Sequence, residues 1–178
     1  MLSSPFIISA VAAVTVTSTV AAQAPLGEGR FRDPAHITGD PSGLRSDPAV
    51  RVSQRYPDRA RAANRTAAPV AAFVVDTLGR VELPTASFLN DSDREFRQAV
   101  CELLPQLRFE PFILDGQKWR VLLVQFYAFN TWQAPDSVGV ARARALMHER
   151  QENYARQPVA AVVSDLERRP HCDKIEGK

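Results

Sequence analysis

Apolar side chains dominate Phe6 to Val20, lose all periodicity between residues 25 and 50, and then return in rhythms that change along the chain. The run Val70-Ala71-Ala72-Phe73-Val74-Val75 is short, apolar and rich in β-formers, as strands are. Thr77-Leu78-Gly79 interrupts it with a residue free to take positive φ, and an extended pattern resumes from Arg80 to Leu89, which predicts a β-hairpin. Phe96, Ala99, Val100, Leu103 and Leu107 then recur at helical spacing. Ser92-Asp93-Arg94-Glu95 fits a capping box at the start of that helix, and Pro105 ends or kinks it near Leu104.

From Lys118 to Asn130 the rhythm is two. Trp119, Val121, Leu123, Gln125, Tyr127 and Phe129 alternate with Arg120, Leu122, Val124, Phe126 and Ala128, and both sets are largely apolar. This predicts a long strand covered on both faces. Upstream, Pro57 and Asp58 suit the first turn of a short helix ending near Arg65. Downstream, Asp136 to about Arg156 reads as a helix with a narrow apolar stripe and many Arg, and the remainder through Cys172 as a short surface tail.

The flanks differ in kind. Residues 1–27 carry no charge, and Ala22-Gln23-Ala24 follows the apolar run as a small-x-small cleavage site, the layout of a secretory signal over 1–24. If that segment is retained, it anchors the chain in the inner membrane. Residues 25–52, with four Pro and four Gly, read as a disordered linker. The chain thus divides into signal (1–24), linker (25–52), one folded domain (53–130) and a C-terminal helical extension (131–178), which suits 178 residues.

Composition adds little. A hydrophobic fraction of 45% supplies a core, and a net charge of +2, with Arg scattered along the chain, gives no field that would draw it to nucleic acid. Cys101 and Cys172 belong to a chain expected to be exported to an oxidising space, so a disulfide between them is expected, with two free thiols as the alternative. Cys101 sits ~200° round the helix from Leu103, off the core stripe and within reach of the tail.

Catalytic signatures are missing from the sequence: no nucleophile elbow, phosphate loop or His-Glu-x-x-His helix occurs. His171-Cys172 lacks the further ligands a structural zinc needs. Asp91 and Asp93 read as helix-start residues. The expectation is therefore no enzyme, no metal and no cofactor.

Five pieces in order resemble the TonB C-terminal domain family: Tyr56-Pro57-x-x-Ala60; Phe73-x-Val75-Asp76-x-x-Gly79-Arg80-Val81; Phe96-x-x-Ala99-Val100; Arg108-Phe109-x-Pro111; and Gly116 with the strand to Phe129. The resemblance implies an α+β domain, a three-stranded antiparallel sheet with two helices packed on one face. It also implies a periplasmic binding module that contacts an outer-membrane or envelope protein by strand addition, as an energy transducer accessory to transmembrane transport. The partner-binding residues it implies are Leu122, Leu123, Val124, Gln125, Phe126, Tyr127, Ala128 and Phe129 on the last strand, with Ser53, Gln54, Arg55 and Tyr56 before the domain. The alternative is a self-associating structural protein of the envelope, a homodimer among its forms, whose edge strand is covered by the C-terminal extension.

Overall fold

The computed structural model describes residues 30–32, 36–47, 54–131 and 136–172; the expected signal segment, Ser53 and Trp132 lie outside them. In chain order the elements are β1 (Ile37–Thr38), α1 (Asp58–Ala62), β2 (Val70–Val75), β3 (Val81–Phe88), α2 (Arg94–Leu103), β4 (Ile113–Leu114), β5 (Gln117–Lys118), β6 (Arg120–Phe126), α3 (Ser137–Arg156) and α4 (Val159–Glu167). The fold is α+β. Its main sheet runs β1-β6-β2-β3, with β6-β2-β3 antiparallel and β1 parallel to β6, while β4 and β5 form a separate small hairpin.

All six residues of β2 are buried, because a helical layer covers each face of the sheet. Ala71, Phe73 and Val75 join one core with Phe88, Phe96, Val100, Leu103 and Phe129, under α1 and α2. Val70, Ala72 and Val74 join the other with Leu122, Val124, Ala143, Tyr154, Val162 and Leu166, under α3 and α4. The alternation expected along the long strand is present: Leu123, Tyr127 and Phe129 contribute to the first core, Leu122, Val124 and Phe126 to the second. Each fully buried large side chain contributes about 1.5–3 kcal/mol of transfer free energy.

The hairpin between β2 and β3 turns where expected. The Asp76 carboxylate accepts hydrogen bonds from the backbone N–H groups of Leu78 and Arg80, each at 2.8 Å, and from Arg80 Nε at 3.0 Å. Gly79 has φ 78°, and a Cβ there would lie 1.8 Å from the Phe109 carbonyl oxygen, so both conformation and space demand glycine. Farther along, β3 bulges: Ala72 faces Ser87 and Val74 faces Glu82, so the residues around Pro84 are extra. Thr85 Oγ1 repairs the gap by accepting the Val74 N–H at 2.8 Å and donating to the Glu82 carbonyl at 2.6 Å.

Four expectations need correction. The linker is not wholly irregular, because Ile37–Thr38 adds a parallel strand to β6 and both Phe31 and Ile37 are buried. The capping box does not form. The N-cap of α2 is Asp93, without a side-chain cap, because Asp93 and Glu95 both pair with Arg65 and Ser92 donates to Asn90 Oδ1 at 3.3 Å. The tail is not draped on the surface: α4 buries Val162 and Leu166, and His171 and Cys172 are buried. The long strand is shorter than Lys118–Asn130, since Gln117–Lys118 turns back on Ile113–Leu114 and only an Ala67–Phe129 bridge continues the pairing past Phe126.

Cys101 and Cys172 are joined by a disulfide with Cα atoms 5.4 Å apart. It fixes the tail against α2, next to the outer edge of β3, where Phe88 N–H donates to the Pro170 carbonyl at 2.9 Å and Ser87 bridges to His171.

Candidate functional site

The expected contact strand, Leu122 to Phe129, lies along and just past β6, whose outer edge is the one away from β2. Backbone groups alternate in direction along a strand, so the inward partners identify the outward ones. Tyr127 N–H donates to the Pro69 carbonyl and Phe129 N–H to the Ala67 carbonyl, at 2.9 and 2.8 Å, which turns those amides toward the β2 side. Leu122, Val124, Phe126 and Ala128 therefore face away from β2.

Three different groups meet that edge. At its start, β1 pairs in parallel, with Ile37 opposite Arg120 and Thr38 opposite Val121. Next, the side chain of Gln151 from α3 takes over: its Oε1 accepts the Val124 N–H at 2.9 Å, and its Nε2 donates to the Gly39 carbonyl at 3.1 Å. A primary amide has the same donor and acceptor as a peptide unit, so Gln151 stands where the next peptide of a longer β1 would stand. Beyond it, the N–H groups of Phe126 and Ala128 have no hydrogen-bond partner among the described residues.

The side chains of the expected contact strand mostly serve the fold. Leu122, Val124, Tyr127 and Phe129 are buried, Leu123, Gln125 and Phe126 half-buried, and Ala128 exposed. Arg144 lies over the Phe126 ring at 5.7 Å, a cation–π contact that closes α3 onto this end of the strand. Burial pushes the Tyr127 hydroxyl well above its ordinary value, so it stays neutral. Within Leu122 to Phe129, the outward backbone N–H groups left without a partner among the described residues are those of Phe126 and Ala128.

The residues before the domain divide likewise. Tyr56 meets Phe96 and Phe129 edge-on at 6.0 and 5.6 Å between centroids, and its hydroxyl donates to the Arg65 carbonyl. Tyr56 is thus half-buried and packs against the core. Arg55 is exposed and pairs loosely with Asp58 at 3.8 Å, and Gln54 is half-buried.

Two ionic assemblies frame the site. Arg120 Nε and Nη2 reach the Glu82 carboxylate at 2.7 and 2.5 Å across β2, and Nη1 donates to the Arg32 carbonyl, tying β3, β6 and the N-terminal segment together. Between α3 and α4, Tyr154 donates to Asp165 at 2.8 Å and Arg169 pairs with the same carboxylate at 2.9 Å. Burial and then that hydrogen bond push the Tyr154 hydroxyl up to about 12. Burial pushes the Asp165 carboxyl up as well, but the bonds from Tyr154 and Arg169 outweigh it and hold that carboxyl below its ordinary value.

One concavity with polar lining, a cleft of about 430 Å³ lined by Ala68, Asn90, Ser92, Arg142 and Leu146 among others, has the polar side chain of Asn90 committed to structure. Asn90 accepts the Val70 N–H at 2.7 Å and donates to the Ala68 carbonyl at 2.9 Å. Among the described residues, no group of three or more His, Cys, Asp or Glu is placed to hold a metal ion, and no helix is long and apolar enough to cross a membrane.

No family model matches the chain, and no curated protein matches it. Among solved structures the chain is similar to the solution structure of the Pseudomonas aeruginosa TonB CTD, with 22% sequence identity and a TM-score of 0.41. The match covers 54% of this chain and 93% of that one.

Proposed function

We propose that this chain is a non-catalytic protein-binding module of the periplasm, which receives an extended segment of an outer-membrane or envelope protein along the β6 edge, as an accessory to transport. The single observation that carries the reading is the end of β6. Two outward N–H groups there, at Phe126 and Ala128, lack hydrogen-bond partners among the described residues, on a strand otherwise held on both faces. Unpaired edge amides on a rigid sheet are what strand addition uses. The disulfide fits an oxidising compartment.

A photocrosslinking residue introduced at Ala128 tests this in living cells. The expected result is a discrete adduct with an envelope protein at position 128 and none from the same group at Glu102, an exposed position on α2. Adducts of equal yield at both positions, or none at either, would remove the reading.

Gln151 favours a second reading. It belongs to the C-terminal extension and occupies the edge at Val124, as expected of a structural protein whose edge is kept covered. Gln151→Ala, which uncovers the edge and leaves the second core in place, then produces self-association, measurable by sedimentation; a monomeric variant would count against it.

A further inference from the structure

We infer that residues 37–39 are a resident stand-in for a partner strand, and that the β6 edge accepts in their place a parallel segment of another protein with the pattern apolar–any–glycine. This rests on the reading of β6 as the binding edge and adds to it what the edge selects and what keeps it closed.

The resident segment shows what the surface takes. It runs parallel to β6, which sets the direction of an incoming strand. Ile37 is 4% exposed and buried in the same core as Leu122, Val124 and Tyr154, so the first position takes a branched apolar side chain. Thr38 is only half-buried, so the second position is permissive. At Gly39 a Cβ would come within 3.1 Å of the Tyr154 carbonyl oxygen and 3.3 Å of the Ala155 Cα. Both are backbone atoms of α3, which cannot swing aside as a side chain does. Gln151 binds the Gly39 carbonyl through its amide and so reads main chain alone.

The resident is also built to stop early. Thr38 Oγ1 accepts the Asp40 N–H at 3.2 Å, and the Asp40 carboxylate accepts the Ser42 N–H at 2.8 Å and its hydroxyl at 3.0 Å, which turns the chain away before Pro41 can meet the sheet. It therefore pairs with only Arg120 and Val121 and leaves Val124 to a side chain. A partner without that turn, once Gln151 rotates aside, continues to Val124, Phe126 and Ala128 and gains rungs the resident never makes.

The test uses the full chain carrying Ile37→Asp and Gly39→Val, which expels the resident but leaves the receiving surface unchanged. The probe is a fluorescent peptide of sequence His-Ile-Thr-Gly-Thr-Val-Thr, with a control in which valine replaces the glycine. Because the wild type presents an open edge only part of the time, the double variant is expected to bind the probe at least about tenfold tighter than wild type, and neither protein to bind the control. Equal affinity for wild type and double variant, or for probe and control, overturns the inference. Should the double variant not fold, amide exchange of wild type decides: saturating probe must accelerate exchange at Thr38 and Gly39, and unchanged exchange overturns the inference equally. The Ala128 crosslink separates the two ideas. An adduct equally strong in both proteins sinks the inference but leaves the binding reading standing, whereas no adduct in either removes the reading itself.

Discussion

Asp76 shows how one side chain holds a turn. Burial alone would raise its carboxyl, but the N–H groups of Arg80 and Leu78 and the Arg80 guanidinium outweigh burial and hold it below its ordinary value of 3.8. A carboxyl lowered by folding contributes stability that is present above its unfolded value and is lost as the pH falls through the folded one. Asp76→Asn is therefore expected to cost about 1.5–3 kcal/mol near neutral pH, the usual worth of hydrogen bonds to a charged group. The variant should also lose less stability than wild type on acidification from about pH 5 to about pH 2. Urea midpoints at both ends of that range check the two statements together; parallel acid losses would contradict them. The turn was legible because Asp-x-x-Gly names both its acceptor and its positive-φ residue. Gln151 was not, since one polar residue on an Arg-rich helix announces nothing about the amide it meets far away in sequence.

Among the elements, β2, β3 and α2 were legible for one reason: each carries an apolar run or stripe long enough to show its period. The strand β1 has two residues inside a Pro- and Gly-rich stretch, too few for any period. The helix α4 did leave a signal, since Val159, Val162, Val163 and Leu166 recur at helical spacing after Pro158, but flanking prolines made the stretch look like tail. The capping box failed for a different reason, because Arg65 competes for Glu95 and tertiary pairing overrides a local motif. In β3 the bulge makes the strand depend on Thr85, whose hydroxyl is fully buried between Val74 and Glu82. Thr85→Val keeps the shape and strands the Val74 N–H, so a loss of about 1–3 kcal/mol is expected in chemical denaturation, with unchanged circular dichroism. A loss within about 0.5 kcal/mol, the scale of an ordinary surface substitution, would show that the bulge repairs itself another way.

For the molecule as a whole, the sheet is the middle layer of three, and its second covering comes mainly from α3 and α4, which follow β6, with Phe31 added from the N-terminal segment. The sequence indicated that the long strand needs cover on both faces, but it could not indicate that the extension supplies it, because the stripe on α3 is narrow. Cys101–Cys172 locks that second layer to the first across a sequence separation of 71. Replacing Cys101→Ser and Cys172→Ser is expected to cost up to about 4 kcal/mol, mostly by freeing the unfolded chain. Thiol titration of the denatured, unreduced wild type should find no free thiol; two free thiols would show that the bond does not form. The contact between the layers at the β6 edge is of another sort. Gln151 holds Val124 and Gly39 through an uncharged amide. Ionic strength has no charge to screen in such a clasp and acidification no proton to add, so its two hydrogen bonds are expected to be indifferent to salt and to acid.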